Sequence, residues 1–262
     1  MLPKVDFLGL KATRLIIVAN PFGGFSHQSE KRDAEMRAFN SVERIVETWH
    51  LAEQAGINTM ITNNETPHVV EAVKKYLGSG GKLQWITQVN CRMKGDMMLA
   101  IDEAIEIGCK ALYFHGALMD DLYQSGNEKS LIEWAGYVKR SGIPVGVAGH
   151  ATETHYWVDS LEIVDFHAIP FFNCGSVHTD GGEKFDLKDM PRAVECINAI
   201  KKPCIAYKIL GAGRIDAKMA FNYAFESIKD TDVVNVGMYR GDNDNMVQDN
   251  VDMVCDILDN FK

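Results

Sequence analysis

Lys208, His150 and His115 each stand where a short apolar run gives way to a loop. They close "KPCIAYK", "IPVGVAGH" and "KALYFH" in that order. Burial disfavours a charged ammonium, so a lysine at the lip of an apolar cup suits proton transfer or Schiff-base formation. The two imidazoles suit general acid–base work, or donation of a hydrogen bond to a substrate oxygen. The plain alternatives are an outward-tilted lysine paired with a loop carboxylate, and histidines that only satisfy local structure.

Neutral amides gather near the ends of other runs: Asn20, Asn63, Asn64, Gln88 and Asn173. Amides both donate and accept, which fits hydroxyl-rich or carbonyl ligands. Capping of helix starts explains Asn63 and Asn64 equally well. After "KPCIAYKIL" comes Gly211-Ala212-Gly213-Arg214, and Arg240-Gly241 follows the last run. Glycines for close backbone approach beside two arginines suit an anion site, whereas a turn needing positive φ would explain the glycines alone. No His-x-His, His-Glu-x-x-His or strand-end carboxylate set accompanies the histidines, so no metal site is expected. His27, His50, His68, His155 and His178 read as loop or helix-surface residues. Asp165, Glu183 and Asp232 read as solvated.

The elements that position these groups are legible. Eight apolar runs lie at 14–20, 57–64, 83–89, 110–116, 143–150, 164–173, 201–210 and 232–239. Amphipathic stretches separate them. Ser41 is placed to cap a helix ending at Gly56, Thr66-Pro67 one ending near Gly78, and Asp96 one ending at Gly108. Further helices are expected at roughly 127–141, 152–162, 187–200, 216–228 and 244–260. Eight strand–helix units within 262 residues predict a single α/β domain over the whole chain, a (β/α)8 TIM barrel preceded by a short hairpin-like segment. In such a barrel alternate residues face inward, and parity then brings Asn20, Gln88, His150 and Lys208 into one layer at the carboxyl face. Ala206 and Cys204 would lie beneath the lysine, and His115 would belong to the alternate set. Two connections are long, 21–40 and 174–186. Their glycine pairs at 23–24 and 181–182 suit lid hinges, rim packing or a contact in a homo-oligomer.

Composition narrows the function classes. A net charge of −9 without a basic run argues against nucleic acid as a partner. No apolar run is long enough for a membrane span, and no secretory leader is expected. Six scattered cysteines without a C-x-x-C pair read as reduced thiols of a cytoplasmic protein.

The order of the pieces resembles the aldo-keto reductase superfamily over most of the chain. "FLGLKATRLIIVANPFGG", "AEQAGINTMITNN", "ALYFHGALMDDL", "IPVGVAGH", "AYKILGAG" and "VGMYRGDNDNMVQDN" are each similar to a segment of that family. The resemblance implies the barrel, an NADP cofactor and a catalytic tetrad. Of that tetrad only the histidine carries over, as His115. Ile61 stands where the family has its aspartate and Gln88 where it has its lysine, and "NNETPH" has no counterpart of the acid tyrosine. In the cofactor half, Tyr207 matches the tyrosine that stacks on nicotinamide, and Asp249-Asn250 match an adenine-contacting pair. Gly211, Gly213, Arg214 and Arg240 would take the phosphates. Gly149-His150 replace the amide-binding pair, and Lys208 replaces the serine after the tyrosine.

Three readings stay open. The leading one is an enzyme acting on a small polar carbonyl or carbohydrate-like compound by isomerisation, epimerisation or lyase cleavage. Lys208 and His150 would handle protons, His115 would polarise the oxygen, and Asn20, Gln88 and Asn173 would position hydroxyls. The second is an NAD(P)H-dependent reductase with an unusual acid. The third is a binding barrel without turnover.

Overall fold

The computed structural model describes residues 1–173 and 185–261. A two-residue turn at Leu8 and Gly9, both at positive φ (57° and 84°), joins β1 (Lys4–Phe7) to antiparallel β2 (Leu10–Thr13). That conformation matches the twist of paired strands, and the Asp6 carboxylate accepts from the Gly9 N–H at 2.7 Å.

Eight parallel strands then close into a barrel: β3 (Leu15–Val18), β4 (Thr59–Asn63), β5 (Gln84–Val89), β6 (Ala111–Phe114), β7 (Val145–Ala148), β8 (Phe166–Pro170), β9 (Cys204–Tyr207) and β10 (Val233–Gly237). They follow chain order around the sheet, and β10 pairs with β3 to complete it. The (β/α)8 expectation and the N-terminal hairpin both hold. The floor is filled by Phe7, which is fully buried and packs edge-on against Phe166 with ring centroids 5.4 Å apart.

The outer helices are α1 (Asn20–Gly23), α2 (Glu30–Phe39), α3 (Val42–Ala55), α4 (Pro67–Gly78), α5 (Met97–Ile107), α6 (Gly116–Ser125), α7 (Glu128–Arg140), α8 (Thr152–Ser160), α9 (Asp189–Ala199), α10 (Ala217–Ser227) and α11 (Met246–Asp259). Capping explains their starts. The Ser41 hydroxyl accepts from the Arg44 N–H, and Asp96 from Met98 and Leu99. Gly56 and Gly108 end their helices in the left-handed conformation, as the sequence suggests.

Five expectations are corrected. The long connection 21–40 is not an open loop, because it folds into α1 and α2, the latter capped by Ser29 accepting from Arg32. Helix α6 was not anticipated; it starts where the His115 ring accepts the Ala117 N–H at 3.2 Å. The parity of β9 is reversed. Ile205 and Tyr207 pack with the barrel interior, while Cys204 and Ala206 face the helices, where small residues let the outer layer approach. Finally, His155 is fully buried, not on a helix surface. Asp232, read as solvated, is buried too, accepting from the N–H groups of Cys204 and Lys229. The second long connection, with Cys174, His178, Gly181, Gly182 and Glu183, lies almost wholly outside the described residues.

Candidate active site

The best-defined polar geometry lies where β6 and β7 end. After Ala148 the chain continues through Gly149 and His150 into α8, while β6 runs through His115 into α6. One turn into α6, Asp120 faces the end of β7 and collects three donors. The His150 backbone N–H lies 3.1 Å from both carboxylate oxygens, the His150 Nδ1 2.7 Å from Oδ2, and the Thr154 hydroxyl 2.7 Å from Oδ1. Burial alone would raise the Asp120 pKa. The bonds from His150 and Thr154 outweigh it and hold the carboxyl below its usual range. A charged carboxylate at Nδ1 fixes that nitrogen as the donor.

Glycine shapes this corner. A Cβ on Gly116 would lie 2.8 Å from Cε1 of His150, and one on Gly149 would lie 3.0 Å from Nε2 of His155. Gly116 thus brings the start of α6 against the His150 ring, while the neighbouring His115 uses its Nδ1 to accept the Ala117 N–H.

Tyr207 points into the barrel, its hydroxyl 3.4 Å from the Gly149 carbonyl. Lys208 leaves the strand at φ 56°, in the left-handed region, so strand alternation no longer sets its direction. Its Nζ lies 5.8 Å from the centre of the Tyr207 ring. Gln88 shares the inward parity of Ile86 and sits in register between Asn63 and Tyr113. Tyr113 is buried inside the barrel, which pushes its hydroxyl pKa up.

The remaining amides divide. The Asn63 side-chain oxygen accepts from the N–H groups of Glu65 and Thr66, so it organises the turn into α4, and Asn64 ties to Asn90. Asn20 begins α1 and accepts the Phe25 N–H on its backbone carbonyl. Asn173 follows β8 and donates its N–H to Asp189. With His150, Thr152, Tyr156 and Arg192 it lines a cavity of about 540 Å³ between α8 and α9.

The residues expected to hold a cofactor have protein partners. Gly211, Ala212 and Gly213 are consecutive positive-φ residues. Arg214 donates to the carbonyls of Gly211 (2.8 Å) and His27 (3.1 Å), and Gln28 donates to Ala212, so this turn is sewn to the segment ahead of α2. Arg240 is buried and held by Glu47, Thr48 and Asp244. Asp249 accepts from Asn243, and Asn250 is buried in α11. For the phosphates of a nicotinamide dinucleotide this set fits poorly. Both arginines are committed, and carboxylates flank Arg240.

Sequence reasoning missed Asp120, Thr154 and a buried imidazole pair. His155 Nδ1 lies 3.1 Å from His167 Nδ1, and both rings are fully buried. The usable signal was periodicity: Thr154, His155 and Val158 form the inward stripe of α8.

No family model and no curated protein matches the chain. Solved structures do. A Pseudomonas aeruginosa protein described as a "putative aldo-keto reductase" superposes with a TM-score of 0.69 at 17% identity, covering 98% of this chain and 94% of that one. Glycerol dehydrogenase from Gluconobacter oxydans gives 0.57 at 12%, covering 98% and 94%. Orotidine 5'-monophosphate decarboxylase from Methanocaldococcus jannaschii, complexed with an inhibitor, gives 0.57 at 12%, covering 97% and 99%. The likeness is one of fold. The chain is a (β/α)8 barrel, and the solved structures it is similar to in fold carry the names of enzymes of several chemistries. Among the described residues no helix is long and apolar enough to cross a membrane.

Proposed function

We propose that this barrel is an enzyme that moves a proton on a small polar carbonyl or carbohydrate-like substrate. His150 is the acid–base group, aligned by Asp120. The observation that carries the reading is the 2.7 Å contact between His150 Nδ1 and Asp120, reinforced by the bond from the His150 N–H to the same carboxylate. An imidazole oriented this way at a barrel's carboxyl face holds a proton ready to give or take. His115 and Lys208 border the mouth as groups that would polarise a carbonyl, and Gln88 offers an amide to a hydroxyl. The net charge of −9 favours a neutral substrate over an anionic one. The reaction class is isomerisation, epimerisation or retro-aldol cleavage.

The test is proton exchange. Purified protein is incubated in D2O with a panel of ketoses, aldoses and hydroxyketones, and deuterium next to the carbonyl is read by NMR. Wash-in that His150→Gln abolishes supports the reading. No wash-in across the panel, with NADPH-dependent reduction of the same compounds, would replace it with the reductase reading. That second reading is favoured by one feature, the inward Tyr207 ring at the end of β9.

A further inference from the structure

Asn235 carries an amide into the barrel. Val233 belongs to the inner core, whereas Val234 and Val236 pack under the helices, so alternation puts Asn235 on the inward face of β10. Its register partner on β3, Ile16, faces inward as well. The residue is only 4% exposed, and among the described residues no hydrogen bond reaches its side chain. Tyr113 on β6 is of the same kind. It is 5% exposed and packs edge-on to Phe166 with ring centroids 6.1 Å apart, and its hydroxyl bonds to none of the described residues. Burial raises its pKa, so the hydroxyl keeps its proton and can donate.

Buried amides and hydroxyls are almost always met by a partner, because leaving them unmet destabilises the fold. These two are not sealed into the packing. Among the described residues the sealed polar atoms that lack a partner are Arg14 Nε, Trp49 Nε1 and His167 Nε2, so the tips of Asn235 and Tyr113 keep contact with open space. Small residues lie between that depth and the rim. Beneath His150 on β7 comes the inward Ala148, paired with the inward Ala168 of β8, so the wall below the imidazole has no bulk. Lower down, the Phe166 ring covers Gly146 and closes the space from below. Gln88 is in register with Tyr113. Val233 pairs with Ile205, which sets Asn235 at the height of Tyr207.

We propose that Asn235 and Tyr113 are the inner anchor of the substrate pocket, bonding oxygens at the buried end of a neutral polyhydroxy compound whose reacting carbon lies higher, at His150. The amide both donates and accepts there, and the phenol donates. The anchor rests on the reading of this mouth as a site for a small hydroxylated carbonyl compound. It selects for an oxygen at the buried end, since an apolar end would leave both groups unmet.

The test sets stability against binding. Asn235→Leu and Tyr113→Phe remove the polar tips at nearly constant shape. With no protein bond lost, Tm should stay level or rise in both. Binding is read by NMR of the full chain with two probes, erythritol, which has no carbonyl, and dihydroxyacetone. In the parent the Asn235 side-chain amide and the Tyr113 ring signals should shift saturably. In Asn235→Leu the Tyr113 ring reports, in Tyr113→Phe the Asn235 amide, and each Kd should weaken about three- to tenfold. A fall of Tm in either variant would make that group structural and overturn its role. Parent signals that stay fixed with both probes, or affinities unchanged in both variants, would overturn the anchor. Erythritol shifts without any deuterium wash-in would sink proton transfer at His150 and leave the anchor standing.

Discussion

The His150 ring rests on the backbone of Gly116: a methyl group there would sit 2.8 Å from Cε1 and 3.1 Å from Nδ1. Two successive strand ends are thus packed through a residue that has no side chain. In Gly116→Ala the imidazole must turn away from Asp120, while the start of α6 tolerates alanine well. Proton exchange is expected to fall about 10²-fold, with circular dichroism and Tm close to those of the parent. Unchanged exchange would mean that the ring has room to spare.

Asp120→Asn removes the charge and turns one acceptor into a donor facing donors. Loss of exchange activity by about 10²–10⁴-fold is expected. Leaving His150 or Thr154 without its acceptor should cost about 1–3 kcal/mol in urea unfolding. Activity within a few-fold of the parent would remove Asp120 from the machinery.

Acid should weaken the fold before the carboxylates titrate. Burial, with the adjacent His167, pushes His155 down from 6.5 to about 3. Between those values the unfolded chain binds a proton that the folded chain does not, so stability is full above the window and falls as pH drops through it. The slope is about 1.4 kcal/mol per pH unit for this one site. Asp120, lowered in the fold, acts in the same direction at lower pH. Calorimetry from about pH 7 to about pH 4.5 should show a falling Tm, and His155→Gln should flatten the decline. A level Tm in the parent would contradict the buried neutral imidazole.

Lys208 separates strain from chemistry. At φ 56° a lysine occupies backbone space that glycine enters without penalty. Lys208→Gly should leave Tm unchanged or raised, whereas Lys208→Met keeps the strain and loses the charge. If both variants fold and both lose exchange activity, the ammonium takes part. If both keep it, the lysine is part of the loop's architecture.

Phe7→Ala should cost about 3–5 kcal/mol, read as a shift of the urea midpoint. The ring fills the barrel floor against Phe166, and the hairpin that carries it is too short to collapse inward.

Local signals carried most of the fold. Apolar runs bounded by Ser41, Gly56, Thr66-Pro67, Asp96 and Gly108 located strands and helices because caps and left-handed glycines act within a few residues. The inward parity of Gln88 and His150 was readable for the same reason. β9 was not: small Cys204 and Ala206 look like a clear path below Lys208, yet the inside of the barrel is filled by Ile205 and Tyr207. Asp120 was hidden by distance, since its partner His150 lies 30 residues further on. His155 was hidden by habit, as a polar residue on a helix reads as exposed unless its neighbours Thr154 and Val158 are read as a stripe. Arg214 and Arg240 looked like anion ligands because a sequence cannot show that His27, Glu47 and Asp244 already hold them.

The plugged floor makes the barrel a cul-de-sac with one door. With Phe7 stopping the amino end, the substrate and product of the proposed reaction would use the same carboxyl-side passage, one after the other. Product still at the threshold excludes the next reactant, so inhibition by product should be competitive, and departure can limit the pace of the whole cycle.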